Sequence, residues 1–231
     1  SGDISTGSTS YSLKAGADAA LFSINAATGA VTLTGNPDYE TKASYSFTVV
    51  ATDAAGNASE QVVTLGVNNL DDTAPTITSA ATATAISENS GAGQVVYTVT
   101  STDTDDVVTG STSYSIKPGA DAAQFSINAT TGAVTLTGNP DYETKESYSF
   151  TVVATDAAGN ASEQVVTLGI NNLDEVAPTI TSGATASAIN ENSGAGQVVY
   201  TVASTDSGDI STGSTSYSLK AGADAALFSI D

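Results

Sequence analysis

Two stretches of the chain alternate between inward and outward positions. Tyr148, Phe150 and Val152 are interleaved with Ser149, Thr151 and Val153, and Val166, Leu168 and Ile170 with Val165, Thr167 and Gly169. A two-residue period sends successive side chains to opposite faces, so both stretches predict strands with one buried face. Val95, Val96, Tyr97 and Val99 form a further β-rich run, Tyr114 to Ile116 a shorter one, and Val134 to Leu136 another. The last follows the turn from Asn128 to Gly132, where glycine is expected at positive φ. About seven short strands per hundred residues, divided by Gly, Asn and Asp turns and lacking any helical period, predict an all-β sandwich. Tyr114, Phe125, Tyr148 and Phe150 fall on its inward positions and are the expected core.

The pattern repeats at domain length. The segment TGSTSYSLKAGADAALFSI around Tyr11 returns around Tyr114 and Tyr217, a period of 103 residues. Such a period predicts tandem, separately folding modules in place of a short-repeat solenoid. One module is complete, over 76–175. It is flanked by 1–72, lacking its first strands, and 179–231, lacking its last. Residues 1–25 recur as 207–231 except for Asn25 against Asp231, whereas the middle copy has Ile116, Pro118 and Gln124 at positions where the outer copies have Leu, Ala and Leu. Two alternating variants with a 206-residue period are therefore expected, the chain being a window on a longer array. Pro75 and Pro178 hold Ala74 and Ala177 extended, which predicts taut linkers.

Composition narrows the chemistry. Twenty-five acids stand against five lysines, and there is no histidine, cysteine, methionine or tryptophan. A net charge of −20 disfavours nucleic acid and anionic lipid as partners. Without imidazole or thiol, cysteine and histidine nucleophiles, general-base histidine and thiolate or imidazole metal sites are excluded; most enzyme classes are disfavoured, and an enzyme is not expected. No apolar run is long enough for a membrane span, so no membrane insertion is expected, and any secretion signal is expected outside this stretch.

The acids recur in short patterns: Glu88 between Ser87 and Asn89, Asp103-Thr104-Asp105, Asp141-Tyr142-Glu143, and Asn172-Leu173-Asp174-Glu175. Residues i and i+2 of an extended segment face one side, roughly 6.6–7 Å apart, so pairs such as Asp38/Glu40 and Asp103/Asp105 can converge on neighbouring cations. Calcium, which takes six to eight oxygens in tolerant geometry, suits such loops better than magnesium. For Asp18, Glu60, Asp121, Glu163 and Asp224 a solvated surface is the simpler reading, with Asp121 capping a short turn. Asp141 and Glu143 could form the carboxylate pair of a glycosidase, but tryptophan, the usual sugar-stacking residue of that class, is absent. The Asn57, Asn128 and Asn160 sequons read as turn residues.

On these motifs the repeat resembles the extracellular cadherin repeat, in the bacterial form found in giant RTX-type calcium-dependent adhesins. Glu88 and Glu191 match the family's early Glu, Asp103 and Asp105 its Asp-x-Asp, and Asp38-Tyr39-Glu40 and Asp141-Tyr142-Glu143 are similar to its Asp-Arg-Glu. Ala51-Thr52-Asp53 and Ala154-Thr155-Asp156 match its Ala-x-Asp. The linkers 69–73 and 172–176 correspond to its Asp-x-Asn-Asp-Asn, with Asn for the first Asp, Asp for Asn, and Thr or Val last. The resemblance implies tandem Greek-key β-sandwich repeats set end to end, a bacterial immunoglobulin-like sandwich being the alternative architecture. It implies Ca2+ at the inter-repeat junctions. Asp38, Glu40, Asn69, Asp71, Asp72, Asp103, Asp105 and Asp156 would serve the first. The second would take Glu88, Asp141, Glu143, Asn172, Asp174, Glu175 and Asp206, with Gly208 in place of Asp105 and Asp209 able to compensate after a shift. The implied function is a calcium-rigidified extender, or stalk, of an extracellular adhesin or matrix fibre at a bacterial surface, supporting adhesion or biofilm. Neighbouring repeats would be its partners, with a capacity for self-association into fibres. A homophilic or glycan-binding adhesion module is the alternative.

Overall fold

In the computed structural model, residues 7–104, 110–210, 213–222 and 224–231 are described. The chain divides into two compact units: residues 1–75 with 103–111 and 156–160, and the remainder.

In the first unit, β1 (Ser10–Leu13), β4 (Ser44–Thr52) and β5 (Ala58–Gly66) form an antiparallel sheet in the order β1-β4-β5. β2 (Phe22–Ile24) and β3 (Val31–Leu33) form a separate antiparallel pair. Phe22, Tyr45 and Phe47 are its buried centre, Phe22 lying 4.4 Å from Phe47 and edge-on to Tyr45 at 5.9 Å between ring centroids.

The second unit contains a closed sandwich. β6 (Thr76–Ile77) pairs with β9 (Ser101–Thr102). β8 (Gln94–Thr98), β11 (Phe125–Ile127) and β12 (Ala133–Leu136) make one sheet in the order β11-β12-β8. β10 (Ser113–Lys117), β13 (Ser147–Thr155), β14 (Ala161–Asn171) and β7 (Ile86–Ser87) make the other, in the order β10-β13-β14-β7, with β7 parallel to β14. The alternation read from the sequence fixes the faces. Phe150, Val152, Val166 and Leu168 are completely buried against Val134 and Leu136 of the opposing sheet and Val99 just after β8, while Val165 points out and is 58% exposed. Phe125 and Phe150 are buried as expected, and Tyr114 and Tyr148 are partly buried against the same core. β15 (Thr179–Ile180) and β16 (Ser204–Thr205) pair antiparallel further along the chain.

The turn between β11 and β12 is built as its sequence predicts. The side-chain oxygen of Asn128 accepts from the N–H groups of Thr130 and Thr131 at 3.0 Å, and Gly132 has φ +70°. A Cβ at Gly132 would collide with the Val99 carbonyl, so both conformation and space require glycine. Asp121 differs from its expected role. It precedes the 3-10 turn Ala122–Gln124, but its carboxylate accepts from Ser149 N at 2.8 Å and pairs with Lys145 at 3.0 Å instead of capping the turn. Glu163, Glu60 and Asp18 likewise pair with Lys117, Lys14 and Lys42.

Candidate metal centres

In the first unit, carboxylate oxygens of Asp71, Asp103 and Asp156 lie within 4.8 Å of one another. Three separate segments supply them: Asp71 comes from the linker before Pro75, Asp103 follows β9, and Asp156 follows β13. Asp156 is 7% exposed and locked by its own loop. Its Oδ1 accepts from Gly159 N at 2.6 Å and Asn160 N at 2.8 Å, and its Oδ2 from Asn160 Nδ2 at 2.9 Å. Burial pushes its carboxyl up, but the Asn160 side chain and the loop N–H groups of Asn160, Gly159 and Ala158 outweigh that and hold it below the usual carboxylate range. Asn160 Nδ2 also donates to the Asp71 carbonyl at 3.0 Å, tying the loop to the linker.

In the second unit, Glu88, Asp141 and Glu143 form a similar group within 4.8 Å. Glu88 is 1% exposed, with Oε2 accepting from Tyr142 N at 2.8 Å and Oε1 from Leu173 N at 2.6 Å. It thus fastens the Asp141–Glu143 segment to the linker after β14. Glu175 accepts from the Asn89 side chain, and its N–H donates to Asp209 at 3.3 Å. The Glu143 backbone N–H lowers that carboxyl, but burial and the negative charges of Glu88 and Asp209 raise it further than the N–H lowers it. Burial, Glu88, Asp209 and Asp141 likewise raise Glu175. Asp209 itself is lowered, first by Ile210 N–H and then by Glu175 N–H and the Asn172 and Glu143 side chains, which outweigh its burial.

The remaining sequence-derived residues sit differently. Asp38 is exposed and accepts from Thr41 N at 3.1 Å and Thr41 Oγ1 at 2.8 Å. It and the exposed Glu40 stand outside both groups, as do the exposed Asp72 and Asp174 and the half-buried Asp206. Asp105 lies outside the described residues. Asn160 and Asn89 are contributors that motif reading passed over. The signal for Asn160 was its fixed place in the Asp-Ala-Ala-Gly-Asn loop, which recurs at 53–57 with the same bonds from Asn57 to Asp53.

The donor set fits a hard cation. Each group is composed of carboxylate oxygens, and a buried amide oxygen without a hydrogen-bond donor, Asn69 Oδ1 or Asn172 Oδ1, stands in the adjoining linker. An amide oxygen cannot relieve its isolation by taking a proton, whereas a bound cation satisfies it and offsets the mutual repulsion of the acids.

Residues 4–68 and 82–171 match the Cadherin domain family. Human Protocadherin Fat 1 is 32% identical over 200 residues, covering 85% of this chain and 4% of that protein. Mouse Protocadherin Fat 4 is 29% identical over 219 residues, covering 93% of the chain and again 4% of the relative. The chain therefore spans only a small fraction of these relatives. Among solved structures, mouse Cadherin-23 EC22-24 aligns with a TM-score of 0.53 at 25% identity over 89% of this chain and 67% of that one. Fold and matches together define a cadherin-domain protein of all-β tandem domains. The chain belongs to the Cadherin domain family.

Proposed function

We propose that this chain is a calcium-rigidified extender segment of a large extracellular adhesin or matrix fibre, of the giant RTX type at a bacterial surface, where it supports adhesion or biofilm. The observation that carries the reading is the paired construction just described: three converging carboxylates beside a linker whose buried amide oxygen has no donor. Asn69, Asp71, Asp72, Asp103, Asp105 and Asp156, with Asp38 and Glu40, would hold calcium at one junction. Glu88, Asp141, Glu143, Asn172, Asp174, Glu175 and Asp206, joined by Asp209, would hold it at the other. Calcium supplies positive charge and six to eight coordination positions. The chain's own part is to hold the oxygens in place through Asn160, Tyr142 N–H and Leu173 N–H.

Rigidity follows from linkage. An ion that binds only the ordered linker stabilises that order, by about 2.7 kcal/mol per site at a hundredfold excess over its dissociation constant. The bacterial stalk reading draws on composition: near-identical copies without cysteine or tryptophan suit a repeated spacer better than a single ligand-binding head. Small-angle scattering of the 231-residue chain tests the stiffening. Calcium is expected to lengthen the particle and narrow its distribution of dimensions relative to chelator. Identical profiles in both would overturn the reading.

A further inference from the structure

A pull along the chain reaches the complete repeat through two linkers, one leading into β6 and one leaving β14. Beyond β6 the chain continues through residues 79–88, and this stretch lies alongside β14 and runs in the same direction. Thr82 bridges Thr167 in parallel, and Ile86 and Ser87 stand opposite Ile170 and Asn171.

A row of hydrogen bonds closes the seam between them. Gln164 Nε2 donates to the Ser79 carbonyl at 2.9 Å. Ala83 N donates to the Thr167 carbonyl at 2.9 Å, and Thr167 N to the Ala81 carbonyl at 3.1 Å. At the far end, Glu88 N donates to the Asn171 carbonyl at 3.1 Å, and Glu88 Oε1 accepts from Leu173 N at 2.6 Å. Both ends are also fastened to the body of the sandwich. Tyr97 donates its hydroxyl to the Ala80 carbonyl at 2.6 Å, and Glu88 Oε2 accepts from Tyr142 N. Ala83 and Ile170 are buried beside these bonds, which keeps water from competing for them. All of the bonds run between groups of the chain itself.

The parallel direction decides how the seam is loaded. The chain enters it at the Ser79 end and leaves it at the Leu173 end, so a pull on the two linkers slides one strand along the other and strains the bonds together. A pull on both strands from one shared end would open the same bonds one after another. We propose that residues 79–88 and 164–173 form a shear clamp that sets the force at which the complete repeat unfolds. Forced unfolding is governed by the unfolding barrier, and bonds that must break together raise that barrier more than bonds that break in turn. The clamp rests on the extender reading only for the source of the tension, and because its bonds need no ion it is expected to hold in chelator.

Single-molecule pulling on the 231-residue chain in chelator tests this. The chain has no cysteine, so introduced thiols are unique handles. Thr73→Cys with Val176→Cys loads the seam in shear, whereas Ser90→Cys with Val176→Cys pulls both strands from one end. The unfolding force is expected to be severalfold higher for the first pair of handles. With those handles, Ala83→Pro removes the N–H given to Thr167 and is expected to lower the force. Gly132→Ala, in the turn between β11 and β12, is expected to lower the melting temperature but leave the force nearly unchanged. Thermal melts check that each variant folds, and Glu88→Gln takes the place of Ala83→Pro if proline abolishes the transition. Equal forces in the two geometries, or a loss from Gly132→Ala as large as that from the seam variant, would overturn the proposal. Failure of the calcium reading shows separately, in scattering profiles that calcium does not change.

Discussion

Glu88 is the most buried acid among the described residues. Its two oxygens take one backbone N–H each, from Tyr142 and from Leu173, in a site that is 1% exposed. Replacing it with Gln turns one acceptor into an NH2 facing an N–H, and a buried donor without an acceptor costs about 1–3 kcal/mol. Glu88→Gln is therefore expected to lower the chemical denaturation midpoint by a corresponding amount, even in chelator. Glu143 differs in sign. With its carboxyl raised above the usual range, the folded chain binds more protons than the unfolded one in the acid region, and stability falls as pH rises through it. Asp156, held low, acts oppositely: its contribution is present at neutral pH and lost as pH falls through its lowered value. Glu143→Gln is expected to raise the denaturation midpoint in chelator at neutral pH and to lower calcium affinity. A midpoint that drops in chelator would mean that repulsion from Glu88 and Asp209 is not what acts on Glu143. The motifs named the six acids that converge, together with Asp38, Glu40, Asp72, Asp174 and Asp206, which stand outside the two groups; the donors were hidden, because Tyr142 N–H and Leu173 N–H are main-chain groups that no residue type announces.

At the level of elements, the long strands were legible and the short ones were not. The Tyr148-Phe150-Val152 alternation became β13 with the expected face inward, since one fully buried face makes a one-residue slip expensive. β7 is two residues long and parallel to β14, too short for any period to register, and its position depends on the pairing of Ile86 with Ile170 far along the chain. The β11–β12 turn lies between these cases, because its chemistry is local. Gly132→Ala forces a side chain into a left-handed conformation against the Val99 carbonyl, and a cost of about 1–3 kcal/mol is expected. Gly138→Ala meets nothing within 4 Å and has no positive φ to lose, so it should be close to neutral. Thermal melts of the two variants side by side check the contrast.

For the whole molecule, a net charge of −20 acquires two addresses. Some of the acids pair with the sparse lysines at the surface, where such pairs contribute little. Others converge in the two groups beside the linkers, where their repulsion is left for a cation to relieve. The period and the motifs made the repeat and its family legible before any coordinates. Asp209 was legible only as a substitute after a shift from Gly208; its bond from the Glu175 N–H and its influence on Glu143 come from the folded chain. Calcium binding by these carboxylate groups is open to calorimetric titration of chelator-stripped protein. Several tight ions per chain are expected, fewer after Asp103→Asn and Asp156→Asn are introduced together. Absence of binding at millimolar calcium would contradict it.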